Sequence, residues 1–416
     1  MVQLSDNLFA SRSSLMRIEE AIALATERLE VVAAIESAGL HQADGRIAAG
    51  DLFARNEVPS FSNSAVDGYA VRFSDLTPGG PTMLPLQGRV AAGSSVPMTA
   101  SGCAIRIFTG APMPFEADTV FMQEDVRLDA DQVHLPAGLR AGANTRPVGE
   151  DIASGERIIA AGQRLRPQDI ALAAATGHRR ILVRRPLRVA VFSTGDELVR
   201  PGGRLKPGAI YDSNRVMLVA LLGRLGAKVL DFGILRDSPK ILAERLARAS
   251  EMSDLILTSG GVSLGEEDHV KAAVETVGQL VFWRLAIKPG RPLAMGMVGS
   301  TPFIGLPGNP VAAYVTFAMF VRPLLCHLGG VTPQPPASLR VRSAFARKKR
   351  PGRREYLRVN IVQAADGMLD AHAFPKEGSA LLTSLTATDG IAALAEDVTD
   401  VVVGDLIEFY PHTAFW

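Results

Sequence analysis

The chain has 416 residues, 47% hydrophobic and 21% charged, which is typical of a globular protein of two to four domains at roughly 150 residues each. Its 44 basic and 43 acidic residues give a formal net charge of +1, so no overall field draws it to nucleic acid or an anionic membrane, and any anion site must be local. Two cysteines, Cys103 and Cys326, match no metal or redox spacing, which favours buried thiols in a reducing compartment.

The N-terminal part of the chain is predicted to be helical around a β-rich insertion. It has no signal-peptide pattern, and no apolar run reaches the ~18 residues of a membrane span, so a cytoplasmic protein is expected. Apolar spacing predicts an amphipathic helix over 14–36, and a shorter helix is expected over 45–54. From Val58, turn formers separate short β-type runs, which predicts an inserted β subdomain with strands at 82–90, 104–109, 119–128 and 132–135. A helix over 167–175 begins at its N1 proline.

From Leu187 the pattern changes to alternating strands and helices. Strands are predicted over 187–192, 228–232 and 254–258, a strand or hairpin over 280–287, and a strand pair near 293–298 and 302–306. Helices are predicted over 214–225, 239–251 and 270–277, and after Asn309. This pattern predicts an α/β domain with helices on both faces. Beyond a linker at 329–336, strand candidates predict a small antiparallel β module, at 339–344, 355–363, 368–374, 391–395 and 406–410.

Carboxylates occur at three consecutive strand–helix junctions of the α/β domain, where a ligand crevice is expected. Glu197 follows Thr194-Gly-Asp, and Asp237 and Asp268 come at the next two junctions. Helix capping and the helix dipole would explain each residue separately. Converging carboxylates repel one another unless a cation joins them, and Mg²⁺ typically bridges carboxylates to substrate phosphates. A metal–phosphate site is therefore favoured over independent caps.

Glycines and cations lie close to these carboxylates in the sequence. Ser259-Gly-Gly261 offers unhindered backbone amides to an oxyanion, although Gly-Gly after a strand is usually only a turn. Residues 281–287 are predicted to form a strand, in which side chains alternate between the two faces. If the strand continues to Lys288, Arg284 and Lys288 lie on the same face, and Arg291 follows the Pro-Gly turn. The alternative for these cations is salt bridging on a solvated edge.

Two further features lie nearer the C-terminus. Leu306-Pro-Gly-Asn-Pro310 places rigid backbone at the start of an apolar helix, which suits an anion but equally suits a structural turn. The basic run 347–354 is typical of a solvated face. Arg358 falls inside the next predicted strand, where a charge is unexpected, so it is either exposed or recruited to a site.

Together the motifs resemble the molybdopterin molybdenumtransferase family, called MoeA in bacteria, and the E domain of gephyrin. The matching motifs run in order along the chain: Asn63-Ser-Ala-Val-Asp-Gly-Tyr-Ala70, Thr194-Gly-Asp-Glu-Leu198, Ile210-Tyr-Asp-Ser-Asn214, Ser259-Gly-Gly-Val-Ser-Leu-Gly265, Ala286-Ile-Lys-Pro-Gly290 and Gly305-Leu-Pro-Gly-Asn-Pro310. Arg284 and Arg291 stand where the family often has Lys, so the charge is kept but a planar guanidinium replaces an ammonium. Val66 replaces a common Met.

The resemblance implies a multidomain α/β architecture. An elongated helical domain would comprise residues 14–57 and 145–185, with a β subdomain inserted at 58–144. A three-layer, molybdopterin-binding α/β domain would span 186–328, and a β-barrel would span 337–414. Whether residues 14–36 pack on the α/β domain instead is left open.

The resemblance also implies an activity, the insertion of molybdenum from molybdate into adenylylated molybdopterin with release of AMP, assisted by Mg²⁺. We expect Asp237 and Asp268 to hold the metal on the pyrophosphate bridge, which a molybdate oxygen attacks. Carried over by motif, the expected site residues are Asp67, Thr109 and Asp151 from the partner subunit; Glu197, Asp237, Asp268, Arg284 and Lys288 along the cleft; Pro307 and Pro310 in its wall; Arg358 and Ser379 at the molybdate; and Thr194, Ser259, Gly260, Gly261 and Arg291 at the substrate.

The partners implied by the resemblance are protein partners. A homodimer would share each active cleft between its subunits, and transient contact with molybdopterin adenylyltransferase or molybdoenzyme chaperones is expected, without nucleic acid or membrane. Two other functions stay open. Molybdopterin adenylyltransferase uses the same type of α/β domain, but needs neither the long N-terminal half nor the barrel. A non-catalytic scaffold that binds pterin is the third.

Overall fold

A computed structural model of the chain describes residues 15–96, 98, 101–236, 238–260, 269–332 and 334–416. Helix α1, Ile18–Arg28, is shorter than the helix predicted over 14–36, because the backbone is already extended at Leu29 and enters the strand Ile35–Gly39. Ile18, Ala21 and Ala25 of α1 are buried in the core of the α/β domain. Helix α1 therefore packs on a unit that lies much later in the sequence.

The N-terminal half contains fewer helical residues than predicted. The helix expected over 45–54 is wrong, because this segment forms the two-residue strands Ile47–Ala48 and Leu52–Phe53. An antiparallel sheet has the order Ile35–Gly39, Arg180–Arg184, Ile47–Ala48, and Leu52–Phe53 pairs with Arg157–Ile159. Buried Ile47 and Ala48 gain more from this pairing than from local helix formation. Helix α2, Pro167–Ala175, has its proline at the first turn, as expected.

The inserted segment is a β subdomain. Its six-stranded sheet has the order Thr119–Met122, Gly68–Val71, Ala104–Ile107, Thr82–Val90, Gln132–Leu135, Arg127–Asp129. The pairing is antiparallel except between Thr82–Val90 and Ala104–Ile107, which run parallel. A two-stranded ribbon of Asn63–Ser64 and Thr145–Arg146 joins the entry and exit of the subdomain.

The α/β domain is built on one six-stranded sheet. Its strands are β1 (Arg188–Thr194), β2 (Lys228–Leu235), β3 (Leu255–Ser259), β4 (Gly278–Arg284), β5 (Pro292–Val298) and β6 (Thr301–Leu306). The order across the sheet is β2-β1-β3-β6-β5-β4. Strands β2, β1, β3 and β6 are parallel, and β5 and β4 form an antiparallel edge. The carboxyl ends of four strands therefore meet on one edge.

Helices cover both faces of this sheet, as the sequence predicted. They are α3 (Ser213–Arg224), α4 (Pro239–Met252), α5 (His269–Val277), α6 (Pro310–Thr316) and α7 (Arg322–Leu328). Successive side chains of β1 point to opposite faces of the sheet. Val189 and Val191 pack with α1, α3, α6 and α7 on one face, and Ala190 and Phe192 pack with α4 and α5 on the other.

The C-terminal part forms a closed five-stranded barrel. Its strands are β7 (Leu339–Ser343), β8 (Arg354–Gln363), β9 (Leu369–Ala373), β10 (Gly390–Leu394) and β11 (Leu406–Pro411), with the short helix α8 (Thr383–Thr386) before β10. The strands pair in the order β8-β9-β7-β11-β10, and β10 pairs with β8 to close the barrel. Each of these five strands is therefore paired on both sides. The two-residue strand Ile287–Lys288 of the α/β domain adds to β8, which joins the two domains.

The helical run Pro310–Leu328 includes a π-helical turn at Phe317–Val321 between α6 and α7. It has the length and apolar composition of a membrane span, contrary to the expectation that no segment would reach that length. However, 78% of its apolar window is buried inside the protein, which is the setting of a core helix.

Candidate active site

Three parallel strands of the α/β sheet end side by side. Ser193 near the end of β1 is in register with Ser259 of β3, and Ser259 is in register with Leu306 of β6. The Gly260 N–H donates to the Leu306 carbonyl at 3.2 Å. The structure therefore brings the predicted residues Thr194, Ser259 and Gly260 together at the carboxyl edge of the sheet, where Pro307 continues from β6.

Glycines at this edge permit close approaches between loops. Gly260 has φ +90°, and a Cβ on it would lie 2.7 Å from the Thr194 carbonyl oxygen, so no larger residue fits without a backbone shift. A Cβ on Gly195 would lie 2.5 Å from Oε2 of Glu197. The exposed carboxylate of Glu197 thus folds back over the turn that follows β1.

Asn214, in the first turn of α3, links two of these strand ends. Its Nδ2 donates to Ser259 Oγ at 2.8 Å and to the Gly308 carbonyl at 2.6 Å. Asp212 caps α3 by accepting from the Arg215 N–H at 3.2 Å, and its Oδ1 also accepts from Ser193 Oγ at 3.0 Å. The start of α3 is therefore anchored to the end of β1 and holds Asn214 in place.

Several buried oxygen atoms beside these residues have no hydrogen-bond partner in the described part of the chain. They are Thr194 Oγ1, Thr258 Oγ1 and Asn214 Oδ1. An unpaired buried polar atom costs free energy, and such atoms in native proteins call for an explanation such as a bound ligand. Two hydroxyl groups and an amide oxygen can together offer both donors and acceptors to a polar ligand.

The C-terminal barrel reaches this edge through the loop at 377–379. The Val311 N–H, in the first turn of α6, donates to the Ser379 carbonyl at 3.0 Å. Arg358 of β8 donates through Nη2 to the Gly378 carbonyl at 3.2 Å and through Nε to Ser384 Oγ at 3.0 Å. The predicted residues Pro310, Ser379 and Arg358 are therefore neighbours, and Gly308 connects them to Asn214.

Arg358 is a buried cation that forms no ion pair with any carboxylate in the described ranges. It is 8% exposed, and its hydrogen bonds go to a carbonyl and a hydroxyl. Burial, and to a lesser extent the positive charge of Arg347, lower the pKa of Arg358, although a guanidinium remains protonated at neutral pH. A buried charge of this kind is stabilised when an anion binds to it.

Ion pairs surround this arginine. Lys288 Nζ lies 3.1 Å from Glu355 Oε1, and Arg347 lies 3.0 Å from Glu355 Oε2. Arg347 also lies 2.8 Å from Oε1 of exposed Glu377. Glu355 is 5% exposed, so it fixes both cations from the barrel side. The ammonium of Lys288 is half-exposed and remains open to a ligand.

Comparison with known proteins agrees with this arrangement along the whole chain. Three family profiles match in order: the MoeA N-terminal region (domain I and II) at 16–177, a probable molybdopterin binding domain at 190–327, and the MoeA C-terminal region (domain IV) at 340–412. The molybdopterin molybdenumtransferase of Haemophilus influenzae is 36% identical over 400 residues, which cover 95% of this chain and 98% of that protein. The chain belongs to the molybdopterin molybdenumtransferase family.

Other members and solved structures share this architecture. Molybdopterin molybdenumtransferase 2 of Mycobacterium tuberculosis is 36% identical over 385 residues, covering 90% of this chain and 94% of that one. A crystal structure of the molybdopterin biosynthesis MoeA protein from Pyrococcus horikoshii has a TM-score of 0.83 at 27% identity, covering 96% of this chain and 100% of that one. Another crystal structure, of a molybdopterin biosynthesis MoeA protein from Pyrococcus horikoshii, has a TM-score of 0.77 at 30% identity, covering 96% of this chain and 99% of that one.

Two further predicted cations lie on the antiparallel side of the sheet. Arg284 is the last residue of β4, which runs parallel to β6, so it lies at the same carboxyl edge, two strands away from β6. The strand expected through 281–287 ends at Arg284, and Ile287–Lys288 is a separate strand paired with the barrel. The argument that Arg284 and Lys288 share one strand face is therefore wrong. Arg284 lies on edge strand β4, opposite Pro292, and Arg291 is exposed with its carbonyl accepting from the Leu285 N–H at 2.8 Å.

The residues expected from the partner subunit lie in the N-terminal half, Asp67 and Thr109 in the insert and Asp151 beyond its exit strand. Asp67 Oδ1 accepts from both the N–H and the hydroxyl of Thr109, each at 2.8 Å, and these bonds lower the pKa of Asp67. Asp151 is exposed, and its N–H donates to the Val58 carbonyl at 2.9 Å. The contacts that position these residues thus come from the N-terminal half of the same chain.

The expected metal ligands Asp237 and Asp268, and the substrate-binding Gly261, lie outside the described residues. Within the described ranges, no group of three or more His, Cys, Asp or Glu residues could hold a metal ion. At the strand ends the described donors are oxygen atoms, from Glu197 and the unpaired hydroxyl of Thr194. Such a donor set fits a hard divalent cation such as Mg²⁺.

Asn214 and Glu355 contact site residues but were not among the predicted ones. Asn214 belongs to the family motif Ile210-Tyr-Asp-Ser-Asn214, which could have indicated a role for it. Glu355 had no signal, because Lys288 lies 67 residues away in the α/β domain. Only the packing of the barrel on the α/β domain brings Lys288 to the carboxylate that Arg347 already contacts within the C-terminal part.

Proposed function

We propose that this chain inserts molybdenum from molybdate into adenylylated molybdopterin, giving the molybdenum cofactor and AMP. Membership of the molybdopterin molybdenumtransferase family over nearly the whole chain supports this activity. The observation that carries it is the buried guanidinium of Arg358, which forms no ion pair with a described carboxylate and lies beside strand ends that carry unpaired hydrogen-bonding groups. A tetrahedral oxyanion is bound by a guanidinium, and the phosphate of a pterin is bound by hydrogen-bond donors such as hydroxyl groups.

The strand ends are proposed to hold the pterin phosphate and its adenylyl group. Gly260 allows the turn after β3 to pack against the Thr194 carbonyl at the end of β1, and Ser259 is oriented by the hydrogen bond from Asn214. The unpaired hydroxyl of Thr194 can donate to a phosphate oxygen. In this arrangement the chain's own residues bind and orient the anhydride without a cysteine nucleophile or a histidine base.

Arg358, Ser379 and Lys288 are proposed to hold molybdate. The guanidinium of Arg358 keeps N–H groups beyond those bonded to Ser384 and Gly378, and Lys288 offers a half-exposed ammonium. Both cations come from the junction between barrel and sheet. Their positive charge favours a dianion and holds an oxygen of molybdate against the adenylyl phosphate.

Mg²⁺ is proposed to bind to Asp237 and Asp268 with Glu197 nearby, where it would neutralise charge on the pyrophosphate bridge. The oxygen donors at the strand ends support this assignment. Titration with Mg²⁺ by calorimetry tests it independently of turnover. Asp237→Asn and Asp268→Asn should each weaken Mg²⁺ binding, whereas Asp129→Asn, on an exposed strand of the insert, should not.

A homodimer with shared clefts is proposed as the active assembly, in which the partner subunit supplies its Asp67, Thr109 and Asp151. The carboxylate of Asp67 supports it: two hydrogen bonds from Thr109 of the same chain favour its ionised form, and the side chain stays partly exposed, where a partner's cleft can reach it. Mixing inactive Asp67→Asn and Arg358→Gln chains should restore about a quarter of the activity, since half of randomly paired dimers carry one intact site. No recovery in mixed dimers would contradict a shared cleft.

Turnover with defined substrates tests the proposed activity. Purified protein, adenylylated molybdopterin and Mg²⁺ should release AMP only when molybdate is added, and the product should activate an apo-molybdoenzyme. Incubation with ATP and molybdopterin should give no adenylate. Adenylate formation would favour molybdopterin adenylyltransferase, and binding without AMP release would favour a scaffold. A cytoplasmic location and transient contact with molybdopterin adenylyltransferase or molybdoenzyme chaperones complete the proposal.

A further inference from the structure

A cavity of about 190 Å³ lies at the other end of the α/β sheet from the candidate active site. It is lined by the start of β1 at Leu187 and by the end of α3 at Arg224, together with residues of the N-terminal half. The active-site edge begins at Thr194, at the far end of β1. The seven residues of β1 place the two ends about 20 Å apart.

Arginines dominate the charge of this cavity. Five line it, Arg46, Arg164, Arg184, Arg185 and Arg224, against one carboxylate, the exposed Asp44. Ion pairs compensate two of them, since Arg46 binds Glu36 and Arg185 lies 2.6 Å from Asp254. In the ranges that the structure describes, Arg164, Arg184 and Arg224 form no ion pair. We call this cavity, with its five arginines, the arginine pocket.

The three uncompensated arginines bind only neutral groups. Arg164 Nη1 donates to the carbonyls of Gly45 at 2.9 Å and Leu225 at 3.4 Å. Arg184 Nη1 donates to the Ala33 carbonyl at 3.0 Å, and the Arg224 guanidinium stacks 4.4 Å from the Trp416 ring. Capping of α3 explains Arg164, because Leu225 is the C-cap residue. It does not explain why two further unpaired cations face the same space.

The other walls of the arginine pocket are largely apolar. Leu187, Leu325 and Val331 line it beside Cys326. A guanidinium matches phosphate with paired N–H donors, and apolar walls accept the carbon skeleton of an organic ligand. We propose that the arginine pocket binds a small phosphate-bearing anion, either a phosphomonoester or free phosphate. This site is separate from the proposed molybdenum insertion and does not depend on it.

A ligand in the arginine pocket would contact both the N-terminal half and the α/β domain. The pocket lies where the N-terminal half enters the α/β domain at Arg184, Arg185 and Pro186, and where the chain leaves that domain at Gly329 and Val331. An anion held by Arg164, Arg184 and Arg224 therefore touches both units at once. Its binding should raise the unfolding temperature by mass action.

Calorimetric titration of the full chain with inorganic phosphate, glycerol 3-phosphate and glycerol tests the proposal. Phosphate and glycerol 3-phosphate should bind and glycerol should not; tighter binding of glycerol 3-phosphate than of phosphate would identify a phosphomonoester as the better ligand. The double variant Arg164→Gln/Arg224→Gln, and Arg224→Gln alone in case Arg164 is needed for folding, should weaken binding about tenfold or more. Arg245→Gln removes an exposed arginine of α4 that does not line the pocket, so it should bind like the parent.

Two further measurements locate the bound anion. Cys326 lines the pocket and Cys103 does not, so phosphate should slow alkylation of Cys326 relative to Cys103. Arg358→Gln, which alters the candidate active site, should leave the phosphate titration in the pocket unchanged. Absence of phosphate binding, parent-like binding by both arginine variants, or loss of all binding in Arg358→Gln would overturn the proposal.

Discussion

Asn214 Nδ2 donates a hydrogen bond of 2.8 Å to Ser259 Oγ, which joins the first turn of α3 to the end of β3. The same amide group binds the Gly308 carbonyl, so one side chain fixes two of the loops that form the candidate active site. The side-chain oxygen of Asn214 is buried and unpaired among the described residues. Asn214 is thus a positioning residue with spare capacity to accept a hydrogen bond.

Asn214→Ala should slow molybdate-dependent AMP release about tenfold, because it removes hydrogen bonds that hold Ser259 and Gly308. The measurement is kcat and KM for adenylylated molybdopterin. Ser213→Ala changes the neighbouring exposed residue of α3 and should behave like the parent. Equal rates for Asn214→Ala and Ser213→Ala would show that Asn214 does not position the site.

Gly260→Ala should lower activity about a hundredfold, because its Cβ would lie 2.7 Å from the Thr194 carbonyl and must displace a strand end. Gly208→Ala is the matched control. Gly208 also has positive φ, at +80°, but a Cβ there meets nothing within 4 Å. Gly208→Ala should therefore cost about 1 kcal/mol of stability and leave kcat unchanged. A comparable loss of kcat in both variants would mean that backbone strain, not crowding, matters.

Arg358→Gln should abolish detectable molybdate binding while changing the free energy of unfolding by no more than about 1 kcal/mol, because it removes an uncompensated buried charge. Arg342→Gln should have the opposite profile. Arg342 in β7 is paired with Asp366 at 2.5 Å and Asp370 at 2.6 Å, so its loss should lower stability and spare molybdate binding. Urea unfolding and calorimetric molybdate titration measure the two effects. Intact molybdate binding in Arg358→Gln would refute the role of Arg358.

The central sheet and the convergence of its strand ends could be predicted from the sequence. Alternating apolar runs that end in glycine and polar residues predict parallel strands, and their carboxyl ends share an edge for topological reasons. The helix predicted over 45–54 was wrong because Ile47 and Ala48 pair with residues 183–184, far along the chain. The partners of Arg358 depend on how the barrel itself folds, and the contact of Glu355 with Lys288 depends on how the barrel packs against the sheet; no local sequence pattern predicts either arrangement.

Glu355→Gln should destabilise the protein by about 3 kcal/mol, because this buried carboxylate accepts from both Lys288 and Arg347. Glu377 pairs with the same arginine but its side chain is 75% exposed, so Glu377→Gln should cost less than about 1 kcal/mol. Urea denaturation of both variants gives the comparison. Equal costs would contradict the assignment of Glu355 as the buried centre of the ion-pair group.

Asp254 should make stability depend on pH. Burial raises the pKa of this carboxyl, but hydrogen bonds from Arg185 at 2.6 and 2.9 Å and from Arg188 at 2.7 and 3.1 Å outweigh it and hold the pKa below its usual range. A depressed folded-state pKa stabilises the protein above the unfolded-state pKa of about 3.9, and this contribution is lost as pH falls through the folded-state value.

Asp254→Asn should therefore unfold more easily than the parent at pH 7, by about 3 kcal/mol, and the difference should shrink as the pH falls below about 4. Urea unfolding at pH 7, 5 and 3.5 measures the trend. Asp129→Asn removes a carboxylate whose side chain is 64% exposed and which contacts Arg127 at 3.6 Å, so its stability should match the parent at each pH. A difference for Asp254→Asn that stays constant down to the acid limit would mean that packing around the side chain, rather than its charge, stabilises the junction at Arg185.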